Sequence, residues 1–347
     1  METLWYILLL LMISTYLVLD GFDLGVGVLH LFIAKNRQEQ KQVIQSIAPV
    51  WDGNEVWLIA AGGTMMLAFP AFLSSMFSGF YLPLTMVVWL LLFRAISIEL
   101  PHYFSDSLWV HFWNIMLFVS SGLLIVILGA ALANIFRGVP LNAEGTFFEP
   151  LWTDFRISKQ TGILDWYTVL SGVTSASIFL HHGSLWLVAK TDGLVQQRAR
   201  KCATSFWLTT VGLTIVTLIA SYVVQPHTKE NFATHSWLIF LPLGALFFLA
   251  GSLFFRINNW NMAAFLCSSF FMYLLLFSGA AALYPYILPG LNPEYSLTIF
   301  NTSPPPEELQ TTLYWWIPGV ILVGIYFTIM FRSLPKVISV ISNQEHH

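Results

Sequence analysis

Nine runs of about twenty apolar residues, each cut off by charges, prolines or polar clusters, leave this chain few folds to choose from. A run of that length crosses the hydrocarbon core of a bilayer as an α-helix, which satisfies its own backbone hydrogen bonds in lipid. The runs cover roughly 4–33, 54–72, 76–98, 112–136, 162–189, 203–224, 236–256, 260–284 and 314–332. Composition agrees: 56% of the 347 residues are hydrophobic and only 10% are charged, against about a quarter charged in an ordinary soluble domain. The expected fold class is an all-α integral membrane protein of about nine transmembrane helices.

Loop charge sets the expected orientation, because Lys and Arg are retained on the cytoplasmic side. With the amino terminus outside, one face collects Lys35, Arg37, Lys41, Arg94, Lys190, Arg198, Arg200, Lys201, Arg256, Arg332 and Lys336, eleven of the fifteen basic residues. Arg137, Arg156, Lys159 and Lys229 fall on the other, where the 285–313 segment has Glu294, Glu307 and Glu308 and no basic residue. Nine spans, amino terminus out and carboxyl terminus cytoplasmic, fit this sorting. Removing or adding one span would scramble it. The first run lacks a basic stretch ahead of it and is too long and acidic for a cleaved signal, so it reads as a retained helix. The two cysteines, Cys202 and Cys267, both fall in expected helices and offer no disulfide framework. No haem-attachment, Walker or dinucleotide motif occurs, and no nucleic-acid partner is expected.

Two helix ends resemble each other. His30-Leu-Phe-Ile-Ala-Lys-Asn-Arg37 closes the first span and Leu185-Trp-Leu-Val-Ala-Lys190-Thr-Asp192 the fifth, both on the basic face. The pattern divides the chain into a four-helix unit (1–140), an external loop (141–161), a second four-helix unit (162–284), an external loop (285–313), a peripheral ninth helix (314–336) and a tail (337–347), an arrangement of parallel repeats.

Four acids break the first two runs. Asp20 and Asp23 lie within the first, and Asp52 and Glu55 open the second. An ionisable side chain at mid-helix costs roughly 2.5 to 3.5 kcal/mol on insertion scales, so such groups face a bundle interior, a water file or a partner. Residues three, four and seven apart share a helix face, so Asp20, Asp23 and His30 can form one polar stripe, on a helix thinned for close packing by Gly21, Gly25 and Gly27. These acids serve either as a polar clamp between helices or as a protonatable relay. Asp52 and Glu55 follow Pro49, where acids also complement the positive end of a helix dipole. Trp51, Asn54 and Trp57 join them in a polar and aromatic cluster.

These residues carry a resemblance. Asp20-Gly-Phe-Asp-Leu-Gly-Val-Gly, then Ser46-Ile-Ala-Pro-Val-Trp-Asp-Gly-Asn-Glu-Val-Trp-Leu, then Phe77-Ser-Gly-Phe-Tyr81, is similar to subunit II of the cytochrome bd-type quinol oxidases. Lys190-Thr-Asp-Gly-Leu with Arg198-Ala resembles that family's element after the fifth span. The resemblance implies a heterodimer with a larger subunit I that carries two haems b and haem d. The pair would oxidise quinol and reduce dioxygen to water with protons drawn from the cytoplasm. This chain would then support assembly, the haem environment and proton delivery, with no complete active site of its own and no haem ligated by it. Asp52 matches the family's acid at a cytoplasmic proton route, and Asp20 and Asp23 match acids of its polar interior. A bound quinone and a small accessory subunit are left open.

Haem ligation requires a ring nitrogen or thioether at depth, and His30, His181 and His182 are the intramembrane histidines. Adjacent histidines point about 100° apart on a helix, so His181 and His182 cannot both face one iron. Arg94 and Glu99 read as an interfacial pair or a lipid headgroup contact. The 14 Trp and 29 Phe read mostly as lipid-facing or interfacial anchors, Pro304-Pro-Pro306 as a stiff external loop, and His346 and His347 as terminal residues. An ion-coupled secondary transporter is the alternative: it would also bury acids in glycine-rich helices, though nearer the midplane than Asp52 lies.

Overall fold

The computed structural model describes residues 1–103, 106–157 and 161–339. Lys159, His346, His347 and the rest of the tail from 340 onward lie outside the described residues. Twelve α-helices are described: α1 (Glu2–Ile33), α2 (Arg37–Gln45), α3 (Trp51–Ala68), α4 (Pro70–Gly79), α5 (Tyr81–Glu99), α6 (Ser107–Arg137), α7 (Trp166–Lys190), α8 (Gly193–Val224), α9 (His227–Thr234), α10 (Phe240–Ile257), α11 (Asn261–Leu283) and α12 (Pro306–Ser333). Seven of them, α1, α5, α6, α8, α10 with its preceding 3₁₀ turn, α11 and α12, are long and apolar enough to cross a membrane. The other two expected spans are α3 and α7, whose acids and histidines dilute their apolar character.

Most expected spans are displaced at an end for a local reason. Pro70 opens α4 after a break at Phe69, so the second span ends early and the third begins at Tyr81 rather than near 76. The Asp106 side chain caps the Leu108 N–H and starts α6 five residues before its apolar run. Asp165 and Thr168 form a reciprocal capping box at the head of α7. The polar first turns of α8, with Arg198, Arg200 and Lys201, continue the helix past its apolar run. Amphipathic α2 and the short β1–β2 pairing, Tyr286–Leu288 against Leu297–Thr298, fall where loops were expected.

The helices pack in two sets. α1 packs on α3 and α6, and α5 on α6; likewise α7 packs on α8 and α11, and α10 on α11. The two sets meet where α1 lies against α7 and α11, and α6 against α7. At the α1–α7 crossing the backbones touch: a Cβ at Gly25 would sit 2.1 Å from the Phe179 carbonyl oxygen, and one at Gly183 would sit 2.7 Å from the Gly25 carbonyl carbon. Only glycine permits so close an approach. Toward the basic end, Phe22 stacks on Trp186 with centroids 4.1 Å apart, and Val26, Leu29, Ile33, Leu185 and Ala203 fill the core. Trp5, Leu9, Phe69, Phe80 and Phe147 fill the other end. α12 stays peripheral, with Tyr326 and Met330 over Gly53 of α3 and Phe327 against Trp57.

Candidate functional site

α1 and α3 bring Asp20, Asp23 and Glu55 together around a residue from α5. Asp20 and Asp23, three apart, face the bundle interior on the same side of α1, and both are fully buried. Arg94, also fully buried on α5, reaches Asp20: its Nη1 lies 2.6 Å from Asp20 Oδ1, and its Nη2 donates to Glu55. Asn54 completes the group from α3, its amide donating to Asp23 Oδ2 at 2.7 Å and to the Leu19 carbonyl at 3.2 Å. Asp20 and Glu55 thus share one guanidinium, and Asp23 joins the group through Asn54. Asp20 Oδ2 and Asp23 Oδ1 accept no hydrogen bond from the described residues. Buried oxygens of this kind are normally completed by a water or a proton.

Accessibility falls along the cluster. Asp52 is exposed in the first turn of α3, the Glu55 side chain is 22% accessible, and Asp20 and Asp23 are sealed. Asp52 is not the helix cap: Val50 holds that position and makes no side-chain capping bond.

Several placements differ from the sequence reading. Arg94 and Glu99 are not partners, because the acids of α1 and α3 capture the guanidinium, and Glu99 instead accepts a hydrogen bond from the Trp51 indole at 3.2 Å. His30 does not extend the acidic stripe; its Nδ1 turns back to the Gly27 carbonyl at 2.6 Å. Trp57 leaves the cluster and packs against Phe327. His181 contacts the Ala203 carbonyl and the Ser252 hydroxyl, and His182 the Ser268 hydroxyl and the Val18 carbonyl, so protein groups occupy all four ring nitrogens. Neither residue fits a haem ligand without giving up such a bond.

A second ion cluster had no counterpart in the sequence reading. Arg137, at the end of α6, is ringed by Asp165, Glu149 (2.7 Å), Asn134 (2.7 Å), Thr161 (3.1 Å) and the carbonyls of Gly138 and Gly162, which ties Glu149 and the head of α7 to the end of α6. Burial pushes the Glu149 carboxyl up to about 7, with Arg137 pulling the other way. The folded chain therefore retains a proton between the ordinary carboxylate range and pH 7 that the unfolded chain releases, and stability falls as pH rises through that window. Thermal unfolding at about pH 5 and about pH 8 should differ by on the order of 2 kcal/mol more in the parent than in Glu149→Gln. Equal pH dependence in the two proteins would refute this.

On the side of the bundle away from the basic loops, a cavity of about 730 Å³ opens between α1, α6, α7, α8 and α11. Its walls are mainly apolar, among them Ile13, Phe136, Ile178 and Met272, with Thr174 and Thr217 supplying hydroxyls.

An all-helical bundle of long apolar helices with carboxyl groups gathered at a buried guanidinium defines a polytopic membrane protein with a charged interior. Residues 1–334 match the family model for cytochrome bd terminal oxidase subunit II, and the chain belongs to that family. It is 29% identical over 359 residues to cytochrome bd-I ubiquinol oxidase subunit 2 of Escherichia coli (strain K12), covering 92% of this chain and 90% of that protein. It is 28% identical over 309 residues to cytochrome bd ubiquinol oxidase subunit 2 of Bacillus subtilis (strain 168), covering 87% and 86%. The fold matches a chain of the bd oxidase from Geobacillus thermodenitrificans with a TM-score of 0.74 at 18% identity, over 95% of this chain and 97% of that one. The protein is a multi-pass membrane subunit of a haem-containing terminal oxidase complex, and membership of this family disfavours the transporter alternative.

Proposed function

We propose that this chain delivers protons to a quinol-oxidising, dioxygen-reducing complex through the acids of α1 and α3. The observation that carries the reading is the graded exposure of Asp52, Glu55, Asp20 and Asp23, from solvent to sealed interior, with Glu55 and Asp20 both in contact with the Arg94 guanidinium. Asp52 collects a proton at the basic face, which is cytoplasmic by the distribution of Lys and Arg, with the amino terminus outside and the carboxyl terminus inside. Glu55 and Asp20, joined through Arg94, pass it inward; Asp23 and its free oxygen extend the route. Asp20, Asp23, Glu55, Asn54 and Arg94 also clamp α1, α3 and α5 together, so the relay and the clamp coexist.

In this reading the partner is subunit I in a heterodimer, holding two haems b and haem d, and a small accessory subunit and annular lipids complete the assembly. The haems supply the electron transfer and oxygen chemistry; this chain's residues hold and move protons. The mainly apolar cavity suits the tail of a bound quinone. The repeated packing of α1 to α6 and α7 to α11 supports two like four-helix units with α12 peripheral.

Asp52→Asn is the test. The variant keeps the size and hydrogen-bonding capacity of the exposed side chain and removes its proton. Turnover of quinol-dependent oxygen consumption should fall by about tenfold or more at unchanged haem content, in line with the usual worth of a positioned proton-transfer group. Normal turnover with full haem content would defeat the relay, and loss of haem would assign Asp52 to assembly instead.

A further inference from the structure

Arg200 and Arg256 meet at the basic end of the bundle, and neither forms an ion pair among the described residues. Arg200, near the start of α8, donates from Nη1 to the Arg256 carbonyl at 3.3 Å and from Nη2 to Asn261 Oδ1 at 2.9 Å. It thereby ties α8 to the end of α10 and the head of α11. Arg256, in the last turn of α10, has its Nε buried with no hydrogen-bond partner among the described residues. Asn261 gives its oxygen to Arg200, which leaves its amide donors turned away from that bond. Buried carboxylates take up the charge of Arg94, Arg137 and Arg198 elsewhere in the chain. Here two guanidinium groups and an amide present donors with no acceptor of opposite charge.

The surroundings of the pair are apolar and outward-facing. Phe254, Ile257 and Trp260 are each more than 60% exposed, and Trp260 stacks on Phe255 with centroids 5.6 Å apart. Tryptophan at such a boundary marks the headgroup level of a membrane. A free aqueous anion would gain from the guanidinium groups alone, whereas an anion carrying acyl chains would also cover the exposed rings. The planar guanidinium fork matches phosphate oxygens in pairs.

We propose that Arg200, Arg256 and Asn261 bind the phosphodiester of an anionic phospholipid, whose acyl chains run along Phe254, Ile257 and Trp260. The bound phosphate supplies the missing counter-charge and pins the ends of α8, α10 and α11 together at the membrane surface. The lipid is thus a structural ligand of this subunit, independent of any proton route.

The purified complex with its partner subunit, stripped of lipid and exchanged into micelles doped with phosphatidylglycerol or phosphatidylcholine, is the sample. Retained lipid is counted by mass spectrometry. The parent should hold phosphatidylglycerol in preference to phosphatidylcholine, and R200Q/R256Q should weaken phosphatidylglycerol retention by about tenfold or more, since hydrogen bonds to charged groups carry that weight. K201Q, which removes an exposed neighbouring charge, should retain the lipid as the parent does. If the double variant fails to assemble, R256Q alone carries the test, because its side chain holds no other helix, and it should lower retention several-fold. Equal retention in the parent and in whichever variant assembles would overturn the proposal. Displacement of the lipid by inorganic phosphate at millimolar concentration would also overturn it, by assigning the site to a soluble anion.

Discussion

Replacing Arg94 with glutamine should abolish most of the haem-bearing complex that can be isolated from the membrane. The substitution leaves Asp20, Asp23 and Glu55 gathered in a buried cluster with no cation, although Arg94 Nη1 now stands 2.6 Å from Asp20 and Nη2 donates to Glu55. Removing one partner of a buried ion pair costs about 3 to 5 kcal/mol, because the remaining charge stays desolvated. That cost is comparable with the whole stability of many domains. Lysine should rescue poorly, since a single ammonium cannot reproduce a fork that serves two acids on two helices. Asp20→Asn added to Arg94→Gln should recover part of the loss by removing one stranded charge, a coupling that a double-mutant cycle measures directly. Parent levels of complex and thermal stability in the single variant would show that the cluster does not hold α1, α3 and α5 together.

The acids of this cluster were legible in the sequence, and their cation was not. Asp20 and Asp23 stand out because each breaks an apolar run, and their three-residue spacing alone places them on one helix face. Arg94 lies near the end of an apolar run with Glu99 beyond it, where a long side chain usually snorkels to the membrane surface. Its burial depends on Asp20 and Glu55, contributed by other helices, and no local pattern reports such a partner. The Arg137 cluster was hidden for the same reason, as Glu149 sits in an irregular loop; the helix-start spacing of Asp165 and Thr168 was its one readable trace. The seven helices long and apolar enough to cross a membrane were readable in order, because apolar length is a property of contiguous residues. Span ends were less so: Asp106, Pro70 and the charged turns of α8 set them through capping, backbone restriction and helix continuation rather than hydropathy.

Gly183→Ala should also lower the yield and heat resistance of the complex, although it adds only one methyl group. A Cβ there would stand 2.7 Å from the Gly25 carbonyl carbon and 2.8 Å from the Val26 nitrogen, both backbone atoms, so no side-chain rotation relieves the contact. α1 and α7 must move apart, and α1 carries Asp20 and Asp23 while α7 carries the His182 bonds to Val18 and Ser268. Overpacking that forces backbone shifts in a close-packed interior costs about 1 to 3 kcal/mol, occasionally more. Gly25→Ala is expected to do the same, its Cβ falling 2.1 Å from the Phe179 carbonyl oxygen. The effects should not add: one methyl already separates the helices, so the double variant should be little worse than either single. Gly212→Ala in α8, where no atom lies within 4 Å of the added carbon, should leave yield and heat resistance unchanged. If Gly183→Ala and Gly212→Ala behave alike in the assembled complex, direct backbone contact between α1 and α7 is not a contact the bundle depends on.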